Sequence, residues 1–108
     1  MGYKLWIDDV RPAPDNTWRV ADHALEAMKI TVKEAPEFIS FDHDLGEGMS
    51  GLDVAKCLVD RDITALANGF KYLPDNFAFA VHSANPVGKE NIEKYLGNYL
   101  AQRRVEWI

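Results

Sequence analysis

Polar residues with catalytic or metal-binding side chains directly follow three apolar segments of the sequence. The segments are residues 3–7, 37–41 and 77–81, and the residues that follow them are Asp8, Asp9, Asp42, His43, Asp44, His82, Ser83 and Asn85. If the segments are parallel strands, their carboxyl ends lie at one edge of a sheet, where open α/β sheets bind ligands. The sequence therefore predicts one crevice in which up to four carboxylates and two imidazoles converge.

Such a crevice needs a group that offsets the repulsion between its carboxylates. At about 4 Å and an effective dielectric constant of about 20, each close pair costs roughly 4 kcal/mol before screening. Retained protons with raised pKa values would offset this cost, and so would a divalent cation. Oxygen ligands completed by water suit Mg²⁺ or Mn²⁺, for which Asp8, Asp9 and Asp42 are the candidate ligands. The alternative is that these acids only cap loops and helices.

His43 and His82 are candidates for proton transfer at the same edge. The unperturbed imidazole pKa of about 6.5 suits general acid–base chemistry at neutral pH. Asp44 adjoins His43 and is a further catalytic candidate. A zinc site built on the histidines is less favoured, because it needs a third ligand in tetrahedral reach and the abundant oxygens favour a harder metal.

Residues near the start of the last predicted helix are candidates for binding a phosphate. They are Ser83, Asn85, Gly88 and Asn91. Backbone N–H groups at a helix N-terminus attract anions, and the serine and asparagine side chains add donors. Arg11, on the loop after the first strand, could bind a phosphate through two parallel hydrogen bonds. The alternatives are a simple turn at Asn85-Pro86 and an ordinary surface arginine.

Short apolar runs and helical periods alternate along the chain, which predicts an α/β fold with a mostly parallel sheet. Strands are expected at residues 3–7, 17–21, 37–41 and 77–81, with a short final strand at 105–108. Helices are expected after Asp22 as N-cap, from about Leu52 and from near Gly88. Two prolines, Pro12 and Pro14, predict a loop instead of a helix after the first strand, so that the second strand lies at an edge. The strands at residues 3–7, 37–41 and 77–81 are expected to be covered on both faces.

Length and composition limit the classes of function. A chain of 108 residues is expected to form one domain, residues 1–108. Its formal net charge of −5 argues against binding duplex DNA through the phosphate backbone. One cysteine, Cys57, excludes an internal disulfide. The sequence has neither an apolar run long enough to span a membrane nor a recognisable signal peptide, and a cytoplasmic protein is expected.

The polar residues resemble those of bacterial response-regulator receiver domains, which place an acidic pair, a phosphoacceptor aspartate and a hydroxyl residue around Mg²⁺. Asp8 and Asp9 match the pair, Asp42 matches the acceptor and Ser83 matches the hydroxyl. The chain departs from this pattern in three ways. The first helix is missing, no lysine follows a fifth strand, and two histidines stand where signalling receivers rarely have them.

A narrower family, the cyclic-phosphate-processing receiver domains, is similar to this chain in three segments: residues 5–12, 40–46 and 82–88. This resemblance implies a flavodoxin-like, three-layer sandwich with a four- to five-stranded sheet. It also implies metal-dependent processing of a cyclic phosphate, such as the 2′,3′-cyclic phosphate of a nucleotide or an RNA end. In that interpretation Asp8, Asp9 and Asp42 hold Mg²⁺ or Mn²⁺, and His82 or His43 transfers a proton.

Two other functions remain open at this point. The first is a signalling receiver that is phosphorylated on Asp42, against which the missing lysine argues. The second is a module that binds a phosphorylated nucleotide without chemistry.

Overall fold

The computed structural model describes residues 2–46 and 48–106, which form four strands and three helices. In chain order they are β1 (Lys4–Ile7), β2 (Arg19–Ala21), α1 (Ala24–Lys33), β3 (Phe38–Phe41), α2 (Gly51–Ala67), β4 (Ala78–Val81) and α3 (Pro86–Glu106). The strands form one sheet in the order β2-β1-β3-β4, and every neighbouring pair is parallel. The predicted parallel α/β sheet is confirmed. Among the described residues, no helix is long and apolar enough to cross a membrane.

The loop between β1 and β2 is as predicted. Residues 8–18 contain no helix, and β2 lies at one edge of the sheet beside β1. The indole N–H of Trp6 donates a hydrogen bond to the carbonyl of Arg11 at 3.0 Å and ties the loop back to the strand. The start of this loop therefore stays close to the carboxyl end of β1.

All three helices pack on the same face of the sheet. The chain passes from β2 through α1 to β3, and then from β3 through α2 to β4, and both steps run in the same direction along the sheet. Right-handed connections that run in the same direction place their helices on the same face of the sheet. α2 accordingly contacts both α1 and α3. The described residues thus form two layers, and the predicted third layer is not among them.

The opposite face of the sheet carries aromatic rings in place of a helical layer. The ring of Trp18 packs edge-on against Trp6, with centroids 5.6 Å apart, and against Phe38, at 5.8 Å. On β4, Ala78 and Ala80 are exposed. The prediction that β4 is covered on both faces is therefore wrong, because the face that carries Ala78 and Ala80 is exposed.

Helix boundaries differ from the sequence-based ones where local capping decides them. α1 has His23 as its N-cap, one residue after the predicted Asp22. α2 begins at Gly51 because Ser50 and Asp53 form a capping box. α3 begins at Pro86, because proline favours the first position of a helix.

The predicted strand at residues 105–108 is wrong for its first half. Residues 105 and 106 belong to α3, whereas 107 and 108 lie outside the described residues. The helix is anchored near this end because Tyr99 and Arg103 both reach Asp62 of α2, at 2.6 and 2.7 Å. Asp62 is fully buried, so this contact joins the two helices inside the protein.

Candidate active site

Three carboxylates meet at the carboxyl ends of β1 and β3. Asp8, Asp9 and Asp42 each offer a carboxylate oxygen, and these oxygens all lie within 4.8 Å of one another. The two strands bring them together because Ile7 pairs with Phe41 and the N–H of Asp42 donates to the carbonyl of Ile7 at 2.9 Å. Asp8 and Asp42 are buried, and Asp9 is exposed. We call Asp8, Asp9 and Asp42 the acid cluster.

The Asp8 carboxylate is held by hydrogen bonds from the following loop. Its Oδ1 accepts the N–H groups of Val10 at 2.8 Å and of Arg11 at 2.9 Å, and its Oδ2 lies 3.0 Å from Nε2 of His82. Burial raises the pKa of Asp8, but the hydrogen bonds from Arg11, Val10 and His82 outweigh it and leave the pKa below its usual value. Asp8 is therefore ionised at neutral pH, and it caps the loop as well as belonging to the acid cluster.

His82 has both ring nitrogens in hydrogen bonds. Nε2 faces Oδ2 of Asp8 at 3.0 Å, and Nδ1 lies 2.7 Å from Oγ of Ser40. Burial lowers the pKa of His82 below its usual value, although Asp8 opposes that shift. A neutral imidazole facing an ionised carboxylate must carry its proton on Nε2, so Nδ1 accepts the hydroxyl proton of Ser40. This tautomer is inferred from the hydrogen bonds.

Trp6 and Ser40 support His82 and were missed by the sequence analysis. The indole of Trp6 stacks on the imidazole with centroids 3.9 Å apart and an interplanar angle of 3°. Ser40 pairs with Trp6 in the sheet register, so both side chains are on the same face as His82. A polar residue within the apolar strand Phe38–Phe41 is the one sequence signal that could have indicated Ser40.

His43 belongs to a second polar network. Its Nδ1 lies 2.9 Å from Oδ1 of Asp44, and the Asn85 amide donates to both oxygens of Asp44 at 3.3 and 3.4 Å. The hydrogen bond from His43 is the main reason that the pKa of Asp44 lies below its usual value. Within residues 2–46 and 48–106, Nε2 of His43 has no hydrogen-bond partner. One nitrogen of this ring is thus oriented by a carboxylate, and the other makes no hydrogen bond to a described residue.

Gly88 lies against the ring of His43. A Cβ atom at residue 88 would be 2.6 Å from Nδ1 of His43 and closer still to Cγ, a separation that real Cβ atoms do not show. At the N-terminus of α3, Oδ1 of Asn85 accepts the N–H groups of Val87 and Gly88 at 3.1 and 3.0 Å, so the helix is capped by a side chain, and phosphate binding at this end stays a prediction. Gly88 allows the helix to approach His43.

The remaining predicted site residues, which are Arg11, Ser83 and Asn91, differ in their contacts with the rest of the site. Arg11 is half-exposed, and its guanidinium donates to the carbonyl of His82 at 2.8 Å and lies 3.8 Å from Oδ2 of Asp8. Ser83 accepts the N–H of Asn85 through its hydroxyl oxygen at 3.1 Å. Asn91 is exposed on α3, and in the part of the chain that the structure describes no side-chain hydrogen bond joins it to the others.

The sequence matches a known protein family over most of its length. The family described as the cyclic-phosphate processing receiver domain matches residues 3–98. The chain belongs to this family. The receiver-like α/β fold and the family resemblance predicted from the sequence are both confirmed.

A solved structure shares the fold of this cyclic-phosphate processing receiver domain. It is a fusion that carries a segment of the trimeric coiled coil of yeast Spc42, and it matches with a TM-score of 0.53 and 22% identity. The match covers 87% of the present chain and 62% of the fusion, so the chain spans less than two thirds of that protein. At this identity the likeness concerns the fold alone. None of the curated proteins matches the chain.

Proposed function

We propose that this domain binds Mg²⁺ or Mn²⁺ at the acid cluster and opens the five-membered ring of a 2′,3′-cyclic phosphate on a nucleotide or an RNA end. The observation that carries the proposal is the position of His43, directly after the acid-cluster residue Asp42, with Nδ1 held by Asp44 and Nε2 without a hydrogen-bond partner among residues 2–46 and 48–106. The family description, cyclic-phosphate processing, supports the same class of substrate.

The donor set of the acid cluster fits a hard dication. Three carboxylate oxygens within 4.8 Å of one another can converge on one ion, with water completing the octahedron that Mg²⁺ requires. Asp8 keeps its charge because of its hydrogen bonds, and so contributes to the attraction for a cation. Such an ion supplies charge neutralisation for the phosphate and lowers the pKa of water.

The proposed reaction is the hydrolysis of one ring ester. A water oxygen adds to phosphorus, one ring P–O bond breaks, and the proton lost by the water is returned to the leaving ribose oxygen. The product is a nucleoside monophosphate with a free neighbouring hydroxyl group. Arg11 has guanidinium N–H groups beyond the one bound to His82 and is suited to holding a non-bridging oxygen.

His43 is better suited than His82 to move the proton. A general acid or base must reach its substrate through a ring nitrogen, and both nitrogens of His82 are bonded to Asp8 and Ser40. Nε2 of His43 has no hydrogen-bond partner in the part of the chain that the structure describes, and Asp44 fixes the orientation of the ring. We therefore assign proton transfer to His43, and to His82 the role of positioning Asp8.

Turnover of a defined substrate tests the proposal. Purified protein is incubated with adenosine 2′,3′-cyclic phosphate and Mn²⁺ or Mg²⁺, and the products are separated by chromatography. We expect metal-dependent formation of adenosine 2′- or 3′-monophosphate, which is lost in Asp42→Asn. The exposed Asp60 of α2 provides a matched control, and Asp60→Asn is expected to retain activity. Lack of turnover by the wild-type protein with several 2′,3′-cyclic nucleotides and both metals would contradict the proposal.

A further inference from the structure

A cavity of about 200 Å³ lies between the start of α1 and the loop that joins β3 to α2. Its lining is apolar apart from one imidazole and consists of His23, Ala24, Leu25, Leu45, Gly48 and Met49. We call it the α1 cavity. The residues of the proposed reaction do not line it, so its apolar character needs a separate explanation.

The α1 cavity adjoins the acid cluster. The N–H of Asp8 donates to the carbonyl of Ala21 at 3.1 Å, which places the segment entering α1 beside the end of β1. On the other side, a Cβ atom at Gly46 would lie 3.7 Å from Oδ2 of Asp9, and Gly46 follows the lining residue Leu45 directly. Gly46 has a φ of +79°, a conformation that glycine adopts without strain. A ligand bound at the acid cluster could therefore extend into this cavity.

The side chains at the α1 cavity are suited to a flat apolar ring. Leu25 is 53% exposed and Met49 is 39% exposed, although both are large apolar side chains at an otherwise charged edge of the sheet. His23 is held through Nδ1, which lies 2.6 Å from Oδ1 of Asp22. The cavity is smaller than the roughly 300–1,000 Å³ clefts that hold drug-sized ligands, so it suits a single ring system.

We propose that the α1 cavity binds the nucleobase of the nucleotide whose cyclic phosphate lies at the acid cluster. This inference rests on the proposed function and extends it from the phosphate to the base. The faces of the base contact the apolar side chains of Leu25 and Met49, while the imidazole of His23 offers a polar contact. The domain is then selective for nucleotides over cyclic phosphates that lack a base.

The test compares two substrates that differ in the base. One is adenosine 2′,3′-cyclic phosphate, and the other is glycerol 1,2-cyclic phosphate, which has the five-membered ring but no base. We expect the wild-type kcat/KM to be at least about ten-fold higher for the nucleotide, equivalent to about 1.4 kcal/mol. The double variant Leu25→Gln/Met49→Gln is expected to lower this ratio at least five-fold. The matched control is Val32→Gln/Ile63→Gln, at two exposed apolar residues elsewhere, and it should leave the ratio unchanged.

The outcomes separate this inference from the proposed function. If the wild-type protein opens both rings equally, or if the double variant keeps the wild-type ratio, the base site is overturned while the phosphoesterase function stands. If the wild-type protein opens neither ring, the proposed function fails. In that case, NMR spectra recorded while adenosine 3′-monophosphate is added test whether the α1 cavity binds a base. Shifts of the Leu25 and Met49 methyl signals would then support a base site, and their absence would overturn it.

Discussion

The imidazole of His82 lies flat on the indole of Trp6, with ring centroids 3.9 Å apart and an interplanar angle of 3°. Together with the hydrogen bonds to Asp8 and Ser40, this stack fixes the ring in position and in orientation. The ring in turn fixes the carboxylate of Asp8, one of the three carboxylates proposed to hold a cation. His82 therefore links the aromatic face of the sheet to the acid cluster.

Replacing Ser40 tests the tautomer of His82. Ser40→Ala leaves Nδ1 of the partly buried His82 without its donor, and we expect the free energy of unfolding to fall by about 1–3 kcal/mol. Urea unfolding measures this loss, and the exposed Thr64→Ala serves as a control with an effect under about 0.5 kcal/mol. Nitrogen NMR of the wild-type imidazole should show the proton on Nε2. A proton on Nδ1 at neutral pH would contradict the assignment.

The two histidines are expected to affect different quantities. His43→Gln should lower kcat by about 10²–10⁴-fold, because it removes the group that transfers the proton, and should leave the Mn²⁺ affinity nearly unchanged. His82→Gln should weaken Mn²⁺ binding by about 10–100-fold, because Asp8 loses the partner that positions it. Steady-state kinetics and calorimetry measure the two effects separately. The opposite pattern would reassign proton transfer to His82.

Two glycines of α3 form a matched pair for testing the contact with His43. Gly88→Ala places a Cβ atom 2.6 Å from Nδ1 of His43, and we expect it to cost about 1–3 kcal/mol and to displace the ring from Asp44. A Cβ atom at Gly97 would meet nothing within 4 Å, so Gly97→Ala should stabilise the helix by up to about 1 kcal/mol. Thermal unfolding of both variants checks the signs. Equal effects would show that Gly88 does not pack against His43.

The alkaline stability of the protein depends on Tyr3. Burial raises the pKa of Tyr3 to about 12, and Tyr72 adds to the shift, whereas an unfolded tyrosine titrates near its usual value of about 10. A raised folded-state pKa contributes stability that is fully present below about pH 10 and is lost as the pH rises through about 12. Tyr3→Phe should therefore lose less stability over this range than the wild-type protein, as measured by urea unfolding at a series of pH values. An equal loss in both proteins would contradict the assignment.

The acid cluster could be predicted from the sequence because its geometry follows from strand direction. Asp8, Asp9 and Asp42 each come after an apolar strand, and parallel strands end at one edge. The loop that replaces the first helix was equally predictable from two prolines. Both features depend on local sequence and on a general rule of sheet topology.

The roles proposed for the two histidines could not be predicted in this way. The choice between His43 and His82 depends on which ring nitrogens are bonded, and the partner Ser40 lies far from His82 in the sequence. The capping of Val87 and Gly88 by Asn85 likewise depends on a side-chain rotamer. The packing of all three helices on one face follows from the direction of both connections between the strands, and the sequence pattern does not indicate that direction.

Titration of Mn²⁺ into the protein tests the central claim most directly, that carboxylates from β1 and β3 hold one dication. We expect the wild-type protein to bind one Mn²⁺, and Asp9→Asn and Asp42→Asn each to weaken binding at least about ten-fold, or about 1.4 kcal/mol. Asp15→Asn, at an exposed acid of the loop after β1, should bind as the wild-type protein does. Unchanged affinity in both acid-cluster variants, or no binding by the wild-type protein, would contradict the account.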